Sequence, residues 1–212
     1  MTEAIKKKIE NGREYRSMLM EANTDNDEYI VEGYATTFNQ PYPLYHVDSK
    51  LVEEQIDRNA FDKTDMGDVI LQYDHEGKVY ARISNNTLEL KTDEHGLFVR
   101  AYLGGTQSGR NLYEEIKGGY TNKMSFGFTV EKDDFTETEN GYLRTIRSIG
   151  KLFDVSAVSL PANDFTEISA RSHCDGVIAE IEAERLRAEE EARKLAEQKE
   201  SLSERLKALR KD

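Results

Sequence analysis

The sequence of 212 residues has little of what staples or anchors a chain. Its single cysteine, Cys174, has no intrachain partner for a disulfide, and no Cys/His spacing suits structural zinc. No Gly-rich phosphate loop is present either, so neither a metal nor a cofactor is expected. No apolar run approaches the length needed to cross a bilayer, and the N-terminal MTEAIKKKIENGR lacks the apolar stretch that follows the basic residues of a signal peptide. A soluble protein of a reducing, intracellular compartment is the expectation. Positive charge is also short: 29 Lys and Arg face 41 Asp and Glu, a net charge of −12, which argues against nucleic acid and against an anionic membrane surface as partners.

What is present divides into two populations. Only 37% of residues are hydrophobic and 33% are charged, so a core requires the apolar residues to be concentrated. From Asp175 onward there is no proline and a dense mixture of Ala, Glu, Leu, Lys and Arg, the composition of a long helix. Ile178, Ile181, Arg185, Ala188, Ala192, Leu195, Lys199, Leu202, Leu206 and Leu209 follow a 3,4 spacing, a heptad seam. Charged residues and alanines on that seam favour a weak or conditional coiled coil, and a single solvated helix held by i,i+4 ion pairs is the alternative. The segment from Asp175 carries 11 acidic and 9 basic residues, so the acidity belongs to the first 174 residues. The expected organisation is an N-terminal extension over 1–13, a folded domain over 14–172 and a helical tail over 173–212.

The folded domain reads as strands. EYIVEGYATTF, VILQY, and the pair LELK and GLFVRAYL show alternating or continuous apolar residues between turn signals, with Leu97, Val99, Ala101 and Leu103 on one face. KMSFGFTVE and YLRTIRSI flank Asn140-Gly141, and KLFDVSAVSLP reads as a further strand stopped by Pro161. Two short helices are expected. One lies in LVEEQIDRNAF, where Val52, Ile56 and Ala60 recur every fourth residue. The other spans Gly109 to Lys117, with Ser108 as N-cap and Gly118-Gly119 as the stop. The fold class is mostly β with peripheral helices, arranged as an antiparallel barrel or sandwich, plus the C-terminal helix.

Three residues could carry chemistry together. Ser125 shares a strand face with Gly127 and Thr129, opposite Met124, Phe126, Phe128 and Val130, and Gly127 leaves room for another chain segment to approach. His75 follows VILQY in the turn sequence DHEG, where an imidazole of near-neutral pKa can act as general base. Asp154 interrupts KLFDVSAVSL, where a buried carboxylate needs a donor such as an imidazole N–H. Each has an ordinary reading as well: a serine on the polar side of a strand, an exposed turn histidine, and an aspartate facing solvent or Arg144 or Arg147. His46, His95 and His173 read as surface residues. Cys174, beside His173, is a poor nucleophile candidate because sequence adjacency does not create nucleophile–base geometry.

The order EGYATTFN, RNAFD, QYDHE, HGLFVRAYL, LYEEIKGGYTNKMSFGF and LFDVSAVSLPAN resembles the tailed-phage prohead maturation protease family, whose fold is similar to that of the herpesvirus capsid maturation protease. The resemblance runs from about Glu14 to Ser172. It implies a serine endopeptidase with Ser125 as nucleophile, His75 as general base and Asp154 orienting His75. The family usually has Glu at the third position, and an Asn-His-Asp context for the histidine in place of Asp74-His75-Glu76. Backbone amides near Gly150 or on the strand after Arg144 are the candidates it leaves for an oxyanion hole. It further implies action within the immature capsid in the host cytoplasm, on the scaffolding segment of the major capsid protein, followed by self-digestion. The segment KKKIENGR and the junction near Arg171 are exposed enough to be the points of self-cleavage, and the heptad helix is the candidate for recruitment or self-association. A noncatalytic assembly protein presenting a coiled-coil arm is the alternative.

Overall fold

The apolar alternation of KMSFGFTVE opens a strand hairpin that organises the whole β-rich part. The computed structural model describes residues 12–19, 28–47, 49–159 and 167–209. In chain order the elements are β1 (Arg13–Leu19), β2 (Ile30–Thr37), β3 (Tyr42–Val47), β4 (Lys50–Ile56), β5 (Ile70–Tyr73), β6 (Glu76–Arg82), β7 (Leu88–Thr92) and β8 (Gly96–Tyr102). Helix α1 (Gln107–Lys117), β9 (Lys123–Thr138), β10 (Gly141–Val158) and α2 (Glu167–Leu209) follow. The chain forms two compact units, Met1–Arg171 and Ser172–Asp212.

Strands β9 and β10 form one long antiparallel hairpin, closed by the two-residue turn Glu139-Asn140, one residue ahead of the Asn140-Gly141 signal, with Gly141 already paired to Thr138. YLRTIRSI and KLFDVSAV, expected as two strands, are one strand of 18 residues. They fuse because register shifts between Ile146 and Asp154 let β10 bend with β9 instead of breaking. The two halves of β10 take different outer neighbours. Gly141–Ile146 pairs in parallel with β4, and Asp154–Ala157 pairs in parallel with β5. The larger sheet therefore runs β1-β9-β10-β4-β3, with the β5–β6 hairpin branching from β10, while β2-β8-β7 form a separate three-stranded sheet. The expected antiparallel barrel is not closed among the described residues: the split use of β10 makes the larger sheet branch, and two of its pairings are parallel. The fold is mostly β, with two α-helices among the described residues.

The core lies under the Phe126 and Phe128 face of β9. It gathers Val31, Ile56, Leu71, Val99, Val155 and, from α1, Leu112 and Ile116. Helix α1 starts two residues earlier than expected, because the Thr106 hydroxyl, not that of Ser108, accepts the Gly109 N–H at 3.0 Å as its N-cap. It stops at Gly118-Gly119, with Gly119 in the left-handed region.

LVEEQIDRNAF is not helical, contrary to expectation: Lys50–Ile56 is β4 and a turn follows. A spacing of four residues suits a strand as well as a helix. The deciding position is Glu54 between Val52 and Ile56, which is buried like an apolar residue because two arginines meet it. Helix α2 begins at Glu167, well before Asp175, and continues through Gly176, a cost of about 1 kcal/mol that the surrounding helix formers absorb. Leu195 and Leu202 of the heptad seam are exposed, and Arg185–Glu189 and Lys194–Glu190 form i,i+4 pairs. Pro161 and most of KKKIENGR lie outside the described residues.

Candidate active site

Ser125, His75 and Asp154, far apart in sequence, converge on one face of the larger sheet. Ser125 is directly opposite Ser156 across the β9–β10 ladder, and Asp154 is opposite Gly127. Period-two alternation places all four on the face away from Phe126 and Phe128. Asp154 is therefore neither on an edge strand nor a partner of Arg144 or Arg147. It lies in the middle of the sheet, between β9 and β5.

His75 reaches this face from the two-residue turn between β5 and β6. Tyr73 pairs with Glu76, and both turn residues, Asp74 (φ 48°) and His75 (φ 61°), are left-handed, the geometry of a type I′ hairpin. Left-handed backbone at non-glycine residues costs on the order of 1–2 kcal/mol each. The turn is held by its neighbour: the Asp74 N–H donates to the Ala157 carbonyl at 3.0 Å. The Asp74 carboxylate accepts the Ser159 N–H at 3.1 Å and the Ser159 hydroxyl at 3.2 Å. The hairpin tip is thus tied to the end of the strand that carries Asp154.

The two ring nitrogens of His75 divide the work. Nδ1 makes a short contact with Asp154 Oδ2, and Nε2 is 2.7 Å from Ser125 Oγ. Asp154 Oδ2 also accepts the Ser156 hydroxyl at 3.0 Å, and Arg13 approaches Oδ1 at 3.5 Å. Burial opposes ionisation of the Asp154 carboxyl, but His75, Ser156 and Arg13 outweigh it and hold the group below the usual carboxylate range. An ionised carboxylate only accepts, so Nδ1 carries the proton and Nε2 presents its lone pair to the Ser125 hydroxyl. That is the tautomer a general base needs. Ser125 is 0%, Asp154 1% and His75 5% exposed, so these contacts operate at a lower effective dielectric than in water.

The room beside Ser125 is used differently from the expectation. A Cβ on Gly127 would lie 2.7 Å from Asp154 Oδ1 and 2.7 Å from Tyr15 Cε1, so the bare glycine admits these two side chains. Tyr15 packs edge-on to His75, with ring centroids 4.3 Å apart. Its phenol is pushed up to about 12, chiefly by burial and then by the Asp154 charge.

Other residues singled out in the sequence stay apart. His46, His95 and His173 are exposed. Arg144 belongs to a buried ion cluster with Glu14, Glu54 and Asp133. Gly150 lies six residues along β10 from Ser156, on the order of 20 Å at the strand rise, so the Gly150 candidate for an oxyanion hole does not adjoin Ser125. Arg13, Tyr15 and Ser156 were not legible as site residues. Only Ser156, two residues beyond Asp154 on the same strand face, had a local signal.

Comparison with known proteins places the chain in a family. A family model described as caudovirus prohead serine protease matches residues 16–177. The prohead protease of Enterobacteria phage HK97 is 30% identical over 154 residues, 72% of this chain and 64% of that relative, so the chain spans just under two thirds of its length. The solved bacteriophage T4 capsid assembly protease, gp21, overlaps 68% of this chain and 98% of its own at 12% identity, with a TM-score of 0.39, too loose an overlap to bear on the chemistry. With three quarters of its length matched by the family model, the chain belongs to the caudovirus prohead serine protease family.

Proposed function

We propose that this protein is the serine endopeptidase of phage capsid maturation, with Ser125 as nucleophile, His75 as general base and Asp154 as the carboxylate that orients His75. The observation that carries the reading is the bridging imidazole, Nε2 at Ser125 Oγ and Nδ1 at the Asp154 carboxylate. In the acylation step Ser125 Oγ attacks the scissile carbonyl while Nε2 takes the hydroxyl proton. Asp154 stabilises the resulting imidazolium, and Nε2 then protonates the leaving amine. Water, activated by the same nitrogen, hydrolyses the acyl-enzyme. Asp in place of the longer Glu is accommodated because Gly127 lets the strand bring the carboxylate close.

The substrates in this reading are the scaffolding segment of the major capsid protein and the protease itself, inside the prohead. The domain over 14–172 supplies the chemistry. The heptad helix recruits the enzyme by pairing with helical scaffold segments or with a second copy. Kinship in fold with the herpesvirus maturation protease belongs to the same proposal. Coexpression of the chain with its capsid protein tests it: the wild type trims the capsid protein and Ser125→Ala does not. Unchanged trimming by Ser125→Ala would show that Ser125 is not the nucleophile. Trimming by neither form would favour the noncatalytic assembly role.

A further inference from the structure

Strand β1 alternates between two tasks. Its even positions, Glu14 and Arg16, lie opposite Phe128 and Phe126, so they point to the core side of the sheet. There Arg16 donates to Glu54 at 2.5 and 2.7 Å and to Glu14 at 2.7 Å, and Arg144 donates to Glu14 at 2.8 and 3.0 Å and to Glu54 at 2.9 Å. The odd positions, Arg13 and Tyr15, lie opposite Thr129 and Gly127, on the face of Ser125. The ion cluster thus fixes β1 from one side while β1 presents two side chains to the catalytic face on the other.

Tyr15 is 2% exposed and sits between the His75 ring and the bare backbone of Gly127. Its hydroxyl lies near the Arg13 guanidinium but, among the described residues, has no partner in hydrogen-bonding geometry. A buried hydroxyl left so costs about 1–3 kcal/mol, so the contact that the fold retains here is that of the ring. Arg13 stacks over Phe153 at 3.6 Å and reaches the Asp154 oxygen that His75 does not use.

We propose that Tyr15 is a positioning residue of the protease, whose ring holds the His75 imidazole in the plane that joins Ser125 Oγ to Asp154. This rests on the triad reading above. Without the ring, His75 has space to rotate toward Gly127, and Nε2 leaves the Ser125 hydroxyl. Displacements of about 1 Å in such a constellation cost on the order of a hundredfold in rate.

The test uses the full chain and a fluorophosphonate probe, in which Ser125 Oγ displaces fluoride from phosphorus and His75 takes the hydroxyl proton. Tyr15→Leu is expected to lower the maximal labelling rate at least about tenfold with the probe's half-saturation concentration unchanged. Tyr15→Phe restores that rate to within about twofold of wild type. The far-downfield proton signal of the His75–Asp154 hydrogen bond is expected to persist in Tyr15→Phe and vanish in Tyr15→Leu, a change that mere loss of stability in a folded variant would not cause. A folded Tyr15→Leu that labels at the wild-type rate overturns the inference, as does a Tyr15→Phe as slow as Tyr15→Leu. If Tyr15→Leu shows no cooperative thermal transition, Tyr15→Phe decides alone: near-wild-type labelling with the proton signal kept supports the ring's role, and a tenfold loss overturns it. Labelling that persists in Ser125→Ala means instead that the triad reading has failed.

Discussion

Gly127→Ala puts the packing of the site to its sharpest test, because it adds one methyl group without replacing a proposed catalytic residue. The new Cβ would stand 2.7 Å from both Asp154 Oδ1 and Tyr15 Cε1, at least 0.7 Å inside the 3.4 Å where ordinary contact begins. Neither neighbour can yield cheaply. Tyr15 is backed by His75, and Asp154 is tied to His75, Ser156 and Arg13. Overpacking of this kind costs about 1–3 kcal/mol, which for a chain of this size lowers the melting temperature by roughly 2–10 °C. The rate should suffer more than the fold. A shift of the carboxylate by most of an ångström breaks the short His75 contact, and a loss of roughly tenfold to a hundredfold in fluorophosphonate labelling follows. Gly105→Ala is the control: no atom of the described residues lies within 4 Å of its added methyl, and both melting and labelling should stay at wild-type values. A folded Gly127→Ala that labels at the wild-type rate would refute the placement of Asp154 and Tyr15 against this strand.

Three further outcomes follow from the same geometry. Arg144→Met leaves the buried Glu14 and Glu54 with Arg16 as the remaining arginine of the cluster, and should cost about 3–5 kcal/mol by urea denaturation; a loss below 1 kcal/mol would mean that the cluster is hydrated. Burial opposes ionisation of Glu14, but Arg16 and Arg144 bring its carboxyl down from 4.5 to about 2. A depressed folded-state value stabilises above pH 4.5 and is lost as pH falls from 4.5 toward 2, up to about 3 kcal/mol. Stability in Glu14→Gln should therefore fall less steeply across that window, and parallel urea-midpoint curves for the two proteins would contradict the assignment. Deleting residues 175–212 should leave fluorophosphonate labelling intact and prevent incorporation into proheads; normal incorporation would remove the recruiting role from α2.

The readable parts of this chain were those whose signal is local. The alternation through KMSFGFTVE placed Ser125 on the face opposite the core, DHEG placed His75 on a turn, and Asp154 stood out as a charge inside an apolar strand. What was hidden depended on partners far along the chain. Glu54 looked like the polar side of a helix because its arginines are 38 and 90 residues away, and without them the alternation of β4 is unreadable. Tyr15 and Arg13 had no local mark at all, since they meet His75 and Asp154 only through pairing of β1 with β9. A domain boundary drawn at Glu14 even leaves Arg13 outside.

The buried charges on β1 also do something that an apolar stripe could not. Alternation alone rejects a slip of one residue between β1 and β9, which would turn Tyr15 away from His75, but it tolerates a slip of two. The ion cluster distinguishes those registers as well. A slip of two in one direction sets Glu14 in place of Arg16, against Glu54, two carboxylates where an ion pair stood. In the other it sets Met18 there and takes one arginine from Glu54. Either register places Arg13 or Ser17, not Tyr15, opposite Gly127. Replacing the whole cluster by well-packed apolar residues can leave stability unchanged, so its distinctive contribution is register. Through register, the charges on the core side determine which side chain stands beside the imidazole on the other.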